Sequence, residues 1–527
     1  MRRAGGTAAL IDRGDPEIRS VAPAVSFDDQ TLTYAQLRER VSAMAARLAG
    51  VGVESGHAVG LVLPNGLNMI VALYACWWRG ATAVPMNHTQ TARELRFAIE
   101  DAQVSLVLVH PDQYEVAREA GPEGRTFAYG PGMPPTGGGA LPPAGGRVEP
   151  EPVAPEDPAV VIFPSGTTGR PKGAVLSHGS LDKANAAIGA ALKGRPGPYD
   201  IKAGDRPPTL VALPLSHTGG LCSLIFAHYA GRHAVVLRKF RLDDFLMAVE
   251  RHGVDTVVAT PTMLQMLLHA PEIELPGVRM VQSSGAPLPP SVKSRFEARF
   301  GIPIIQNYGQ TEALHVAGWT REELTSGTWR PGSVGRPYAG VELRILSDDG
   351  VAQAPDEIGE IVVRSDHTMS MYIGAEARDG GAVDPDGWLF TGDLGYLDAD
   401  GYLFVVDRKR EMLLVGGFNV YPAEIENVLL DHPDVSEVVV VGIPDERLGE
   451  VPHAFVVPLE GRSVSAEALV AYTRENLAHY KAVRGVTVVE GLPQTHSQKI
   501  KRKSVRDMAL SSAANKSSDV PNQEDNQ

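Results

Sequence analysis

Residues 159–173 read Ala159-Val160-Val161-Ile162-Phe163-Pro164-Ser165-Gly166-Thr167-Thr168-Gly169-Arg170-Pro171-Lys172-Gly173. A strand-like apolar run leads into a loop of glycines and hydroxyls that closes on one lysine. Glycines let the backbone turn several N–H groups toward one anion, Ser165, Thr167 and Thr168 add hydroxyl donors, and Lys172 adds charge. The loop is built to cradle phosphate. It is not a Walker A loop, because Pro171 precedes the lysine and Gly173 follows it where a Ser or Thr would stand. Outward from this stretch, runs rich in Val, Ile and Leu alternate with longer amphipathic segments, as where Ser105-Leu106-Val107-Leu108-Val109 follows the helix-like residues 94–102. That rhythm predicts an α/β protein.

At ~150 residues per domain, a chain of 527 residues predicts roughly three to four folding units. Lys and Arg number 49 against 63 Asp and Glu, a net charge of −14, which argues against nucleic acid and anionic membranes as partners because both require a positive field. Two cysteines, Cys76 and Cys222, are too few for a disulfide scaffold or a thiolate metal site and predict buried thiols in a reducing cytoplasm. The longest apolar run, residues 69–78, is about half of a membrane span, so no membrane insertion is expected. Met1-Arg2-Arg3 is followed by too short an apolar stretch for a signal peptide, and Glu524-Asp525-Asn526-Gln527 is no lipidation or peroxisomal signal.

Residues 129–158, dense in Gly and Pro, predict an exposed connection between layers. A second boundary falls at Asp407-Arg408-Lys409-Arg410-Glu411, after the strand-like Leu403-Phe404-Val405-Val406. The expected division is a large N-terminal domain over 1–407, a small C-terminal domain over 408–510, and a disordered tail over 511–527, where Ser, Asn, Asp and Gln dominate.

The phosphate loop resembles the signature of the adenylate-forming (ANL) superfamily: acyl-CoA synthetases, peptide-synthetase adenylation domains and luciferases. Further matches follow in that superfamily's order: Pro214-Leu215-Ser216-His217, Ser284-Gly285-Ala286-Pro287-Leu288, Tyr308-Gly309-Gln310-Thr311-Glu312, Gly359-Glu360-Ile361, Trp388-Leu389-Phe390-Thr391-Gly392-Asp393, Asp407-Arg408-Lys409-Arg410 and Gly416-Gly417-Phe418-Asn419-Val420-Tyr421-Pro422. Together they run from the first loop to Lys499. The resemblance implies the ANL fold, with layered α/β subdomains in the N-terminal domain and a small mobile α+β C-terminal domain. It also implies the chemistry: a carboxylate and ATP give an acyl-adenylate and pyrophosphate, and CoA then takes the acyl group as a thioester and releases AMP.

Site residues follow from the same resemblance. Ser165, Gly166, Thr167, Thr168, Gly169 and Lys172 meet the phosphates; Glu312 resembles the Mg²⁺ ligand, a hard oxygen for a hard ion, and Thr311 an α-phosphate donor. Tyr308 offers a face to adenine, with Gly285, Ala286 and Pro287 on the other side and Asn307 and Gly309 adjoining. Asp393 and Arg408 meet the ribose. His217 stands at the acyl carboxylate, with Gly219, Gly220, Ser284, Gly309 and Leu314 lining the acyl pocket. The pocket segments are small or apolar and hold no counter-charge, which predicts an apolar carboxylic acid and disfavours an amino acid. Arg410 matches the hinge of the mobile domain, Gly416 and Gly417 the loop that admits the pantetheine arm of CoA, and Lys499 the lysine of adenylation.

Two residues depart from the pattern. Gln498 stands where a glycine precedes the lysine, and a non-Gly residue held at positive φ costs about 1–2 kcal/mol. Pro164 replaces a Thr or Ser, removing a hydroxyl and a backbone N–H beside the phosphates. Both losses fall on the ATP half-reaction. The expectation is a complete two-step acyl-CoA ligase, with Gln498 and Pro164 marking the adenylation half as the one open to impairment. Two alternatives stay open: a thioester-forming ligase that takes a preformed acyl-adenylate from a separate adenylating enzyme, and a non-catalytic acyl-adenylate binder.

Overall fold

A computed structural model describes residues 3–518 except 5, 132–138, 144, 164–171, 194–200, 202–205, 328–329, 375–382 and 496–499. The central sheet of the N-terminal domain has seven strands in the order Met371–Ile373, Gly173–Ser177, Pro158–Ile162, Thr82–Met86, Ala58–Val62, Val104–Val109 and Thr126–Ala128. The last five are parallel, and the first two add antiparallel on one edge. Parallel strands are covered on both faces, which is why Val104–Val109 and Ala58–Val62 read as nearly unbroken apolar runs. The helix Leu67–Trp78 is the long apolar run of the sequence; it lies in the core, with Trp77 Nε1 donating to the Ala159 carbonyl at 2.9 Å and Trp78 Nε1 to that of Val148 at 2.8 Å. No described helix is long and apolar enough to cross a membrane. Cys76 and Cys222 are buried free thiols, as two lone cysteines predict.

Two further sheets extend the domain: Thr209–Val211, Ala234–Val236, Pro23–Phe27 and Gln30–Thr33, and the parallel Thr256–Ala259, Met280–Ser283 and Ile304–Gln306. An antiparallel sheet, Val341–Leu346, Gly359–Ser365, Leu389–Leu397 and Leu403–Arg408, ends the domain. Arg408, grouped above with the C-terminal domain, is the last residue of that sheet and pairs in register with Asp393. A single 3₁₀ turn, Lys409–Glu411, leads to a second body with its own hydrophobic clusters, built on Leu413–Val415, Phe418–Val420, Val435–Asp445, Gly449–Pro458 and Gly485–Val488.

The connection over 129–158 is largely exposed in its described part, as its Gly and Pro predict, and is anchored at a few points: Leu141 is buried, Val148 lies against the core, and Arg47 satisfies the carbonyls of Leu141 and Pro142, both at 2.8 Å. One expectation is corrected. Residues 511–518, expected to lack structure, continue the helix Arg502–Ser518, carried by Ala513 and Ala514, which favour helix as strongly as any residue. Residues 519–527 lie outside the described residues.

Candidate active site

Three predicted nucleotide contacts come together. The hydroxyl of Tyr308 donates to Asp393 Oδ2 at 2.6 Å, and Arg408 Nε lies 2.7 Å from Asp393 Oδ1. Strand pairing explains this: Asp393 and Arg408 face each other across Leu389–Leu397 and Leu403–Arg408, while Tyr308 opens Tyr308–Gln310. Asp393 is only 4% exposed, and burial pushes its carboxyl up, an effect the Arg408 guanidinium opposes. Burial, followed by the Asp393 carboxylate, pushes the Tyr308 phenol well above its ordinary value, so Tyr308 stays a donor. Asn307 adjoins, its N–H on the Ser283 carbonyl at 3.3 Å; its Oδ1 is buried without a partner among the described residues, as are Gln310 Nε2 and Ser283 Oγ. Buried polar atoms of this kind are candidates for satisfaction by a ligand. Gly285, at φ +89°, begins an exposed Gly285-Ala286-Pro287 turn, and the Ser284 N–H is held by Ala259.

A second cluster forms around Glu312. Tyr372 donates its hydroxyl to Glu312 Oε1 at 2.5 Å, and the Met369 N–H donates to the Glu312 carbonyl at 2.7 Å. Tyr372 sits on the edge strand opposite Ala174, which brings Lys172 Nζ to 5.8 Å from its ring centre. The edge strand thereby links the end of the phosphate loop to Glu312. Thr311 Oγ1 lies 2.6 Å from Thr218 Oγ1, at the start of the helix Thr218–Tyr229. Tyr372, which carries no local motif, was missed in the sequence; Thr218 lies in the stretch 217–222 beside His217, but its pairing with Thr311 was not foreseen. No group of three or more His, Cys, Asp or Glu able to hold a metal occurs among the described residues. One carboxylate fits Mg²⁺, which takes one or two carboxylates and fills its shell with water and phosphate oxygens.

His217 occupies the N-cap of that helix without a side-chain capping bond. At Gly220 a Cβ would sit 2.3 Å from the Pro214 carbonyl oxygen and 2.5 Å from that of Leu213, so the close approach of backbone requires glycine there. Gly219 is exposed, and a Cβ on it would meet Leu213 Cδ1. Gly309 is required by a bulge, since its Cβ would lie 2.0 Å from the Leu314 carbonyl oxygen. Leu314, at φ +53°, is buried in the main core. Beyond it, His367 Nε2 donates to the His315 carbonyl at 2.8 Å, and burial pushes the His315 imidazole down to about 4.

In the second body, Gly416 and Gly417 adopt φ +57° and +88° in the turn between Leu413–Val415 and Phe418–Val420, and Phe418 stacks on Tyr480 with ring centres 4.6 Å apart. Arg410 is exposed at the centre of the linking turn. Pro164, Ser165, Gly166, Thr167, Thr168, Gly169, Gln498 and Lys499 lie outside the described residues.

Residues 16–373 match the family described as AMP-binding enzyme, and residues 424–499 match the AMP-binding enzyme C-terminal domain. The chain belongs to the AMP-binding enzymes. Its similarity extends over nearly the whole length: it is 36% identical over 497 residues to the indoleacetate–CoA ligase of Aromatoleum aromaticum, covering 92% of this chain and 94% of that one. The o-succinylbenzoate CoA synthetase of Bacillus subtilis, solved with its acyl-adenylate intermediate, superimposes with a TM-score of 0.81 at 30% identity, covering 96% of this chain and 99% of that one. An anthranilate CoA ligase bound to anthranoyl-AMP gives 0.86 at 26% identity, covering 97% and 98%. This AMP-binding enzyme is an acyl-CoA ligase that works through an acyl-adenylate, with the ANL fold read from its motifs.

Proposed function

We propose that this ligase joins an apolar monocarboxylic acid to CoA, and that adenylation is the slower of its two half-reactions. The substrate reading rests on one observation. The residues matched to the acyl pocket, His217, Gly219, Gly220, Ser284, Gly309 and Leu314, lie in segments 217–222, 283–285 and 309–315, which include no Lys or Arg, and burial keeps the His315 imidazole neutral at pH 7. A second carboxylate would enter without a cation to meet it.

In the first half-reaction a carboxylate oxygen attacks the α-phosphorus of ATP, and pyrophosphate leaves with the electron pair of the broken P–O bond. Tyr308, Asp393 and Arg408 hold the nucleoside so that acid and phosphorus meet in line, and Lys172 and Lys499 offset the charge that gathers there. Glu312 would hold Mg²⁺, which when bound would supply further neutralisation of phosphate charge. In the second half-reaction the CoA sulfur attacks the acyl carbon, the carbon–oxygen bond to phosphate breaks, AMP leaves and the thiol proton passes to solvent. The same ribose contacts serve both halves because AMP is the leaving group. Gln498 and Pro164 both fall on the ATP side, which supports adenylation as the slower half.

A panel of acids with ATP, Mg²⁺ and CoA, read as acyl-CoA by mass spectrometry, tests the substrate reading. Thioesters are expected from indole-3-acetate, arylpropenoic and medium-chain alkanoic acids. Thioester from 2-succinylbenzoate or another dicarboxylate alone would overturn it.

A further inference from the structure

The turn Lys409–Glu411 joins two bodies with separate cores, and its outer residues are pinned to opposite sides. On the N-terminal side, Lys409 Nζ lies 2.9 Å from both Asp348 Oδ1 and Glu360 Oε2. Glu360 is itself fixed: it sits on Gly359–Ser365, and its Oε1 accepts the Gly392 N–H at 3.2 Å, next to Asp393. On the other side, Glu411 Oε2 lies 2.9 Å from Arg502 Nε. Arg502 is bidentate to Glu426 at 2.6 and 2.7 Å and donates to the Val440 carbonyl at 3.0 Å. These partners belong to the helix Pro422–Leu430 and the strand Val435–Asp445, the body of the C-terminal domain. Between the two pins stands Arg410, exposed.

We propose that Lys409 and Glu411 are positioning residues that confine rotation between the domains to Arg410. Each ion pair makes its residue part of one rigid body, so a rotation about the Arg410 dihedrals carries the C-terminal domain as a unit. Without a pin, the flexible stretch lengthens and the arriving domain is aimed less accurately. The inference rests on the two-step reading above and on the mobile C-terminal domain hinged at Arg410 that the resemblance implies, with a different domain orientation serving each step. A single half-reaction needs one orientation; complete turnover needs the passage between them.

Three rates on Glu411→Gln and on Lys409→Gln test it: acid-dependent pyrophosphate exchange without CoA, thioester formation from supplied acyl-adenylate, and complete ligation. Glu411→Gln keeps the Arg502–Glu426 pair, and Lys409 is exposed, so both variants retain the surrounding packing. Complete ligation is expected to fall roughly three- to tenfold with both half-reactions nearly unchanged, and Glu411→Asp to restore most of it. Equal losses in all three rates, or no loss in any, would overturn the proposal. Failure of the unaltered enzyme to carry out both half-reactions would instead overturn the two-step reading.

Discussion

The hydroxyl of Tyr372 donates to Glu312 Oε1 at 2.5 Å, joining an edge strand of the large sheet to the carboxylate best suited to a magnesium ion. A ligand carboxylate oriented by a second hydrogen bond presents its free oxygen in one direction, and loss of such a partner typically costs 10–100-fold in metal affinity or activity. Tyr372→Phe is expected to weaken Mn²⁺ binding in the presence of ATP, measured by electron paramagnetic resonance, and to slow pyrophosphate exchange. Thioester formation from supplied acyl-adenylate should change little.

Asp393 holds Tyr308 and Arg408 together. Because AMP is present in both halves, Asp393→Asn is expected to slow both, by roughly tenfold or more, as a charge-assisted hydrogen bond is worth about 1.5–3 kcal/mol. Rates of the two half-reactions measured side by side check this; loss confined to one half would contradict it.

Much of this was legible in the sequence, for reasons particular residues show. Tyr308, Asp393 and Arg408 sit in motifs whose order could be matched, and strand pairing assembles them without distortion. Tyr372 was not legible, because its role depends on antiparallel pairing with Gly173–Ser177, far away in the chain, and a tyrosine between Met371 and Ile373 reads as any strand residue. The pairing of Thr218 with Thr311 was hidden in the same way, by their distance in the chain. The exposure of residues 129–158 was legible in their Gly and Pro, but the anchoring of Leu141 and Val148 was not, because Gly and Pro mark turns and say nothing of burial.

His228 is fully buried, with Nδ1 accepting from the Tyr74 hydroxyl at 2.6 Å and Nε2–H donating to the Ala24 carbonyl at 3.2 Å. Burial pushes it down to about 4, and His178, His233 and His315 likewise. With folded values below the ordinary 6.5, the unfolded chain takes up these protons first, so their contribution to stability is complete above pH 6.5 and is lost as pH falls toward 4, by up to about 3 kcal/mol for a single histidine. Asp407, pushed up to about 6 by burial, acts in the opposite sense over part of that window. The Tm is expected to fall between pH 6.5 and 4, and less steeply in His228→Gln; equal slopes would contradict the assignment.

Gln498 occupies the position before Lys499 where the resemblance places a glycine, a residue free to take positive φ. Gln498→Gly is expected to raise the rate of pyrophosphate exchange severalfold, within the tenfold that about 1.4 kcal/mol allows, and to leave thioester formation from acyl-adenylate unchanged. A rise in both rates would place the effect outside adenylation.

The central claim is a two-step ligase limited by its ATP half. Its most direct test compares, on one preparation, thioester formation from an apolar acid with ATP, Mg²⁺ and CoA against thioester formation from the corresponding acyl-adenylate with CoA. The account predicts thioester from both, with AMP released in equal amount, and a faster rate from the adenylate. No thioester from the adenylate, or a rate no faster than from the free acid, would contradict it.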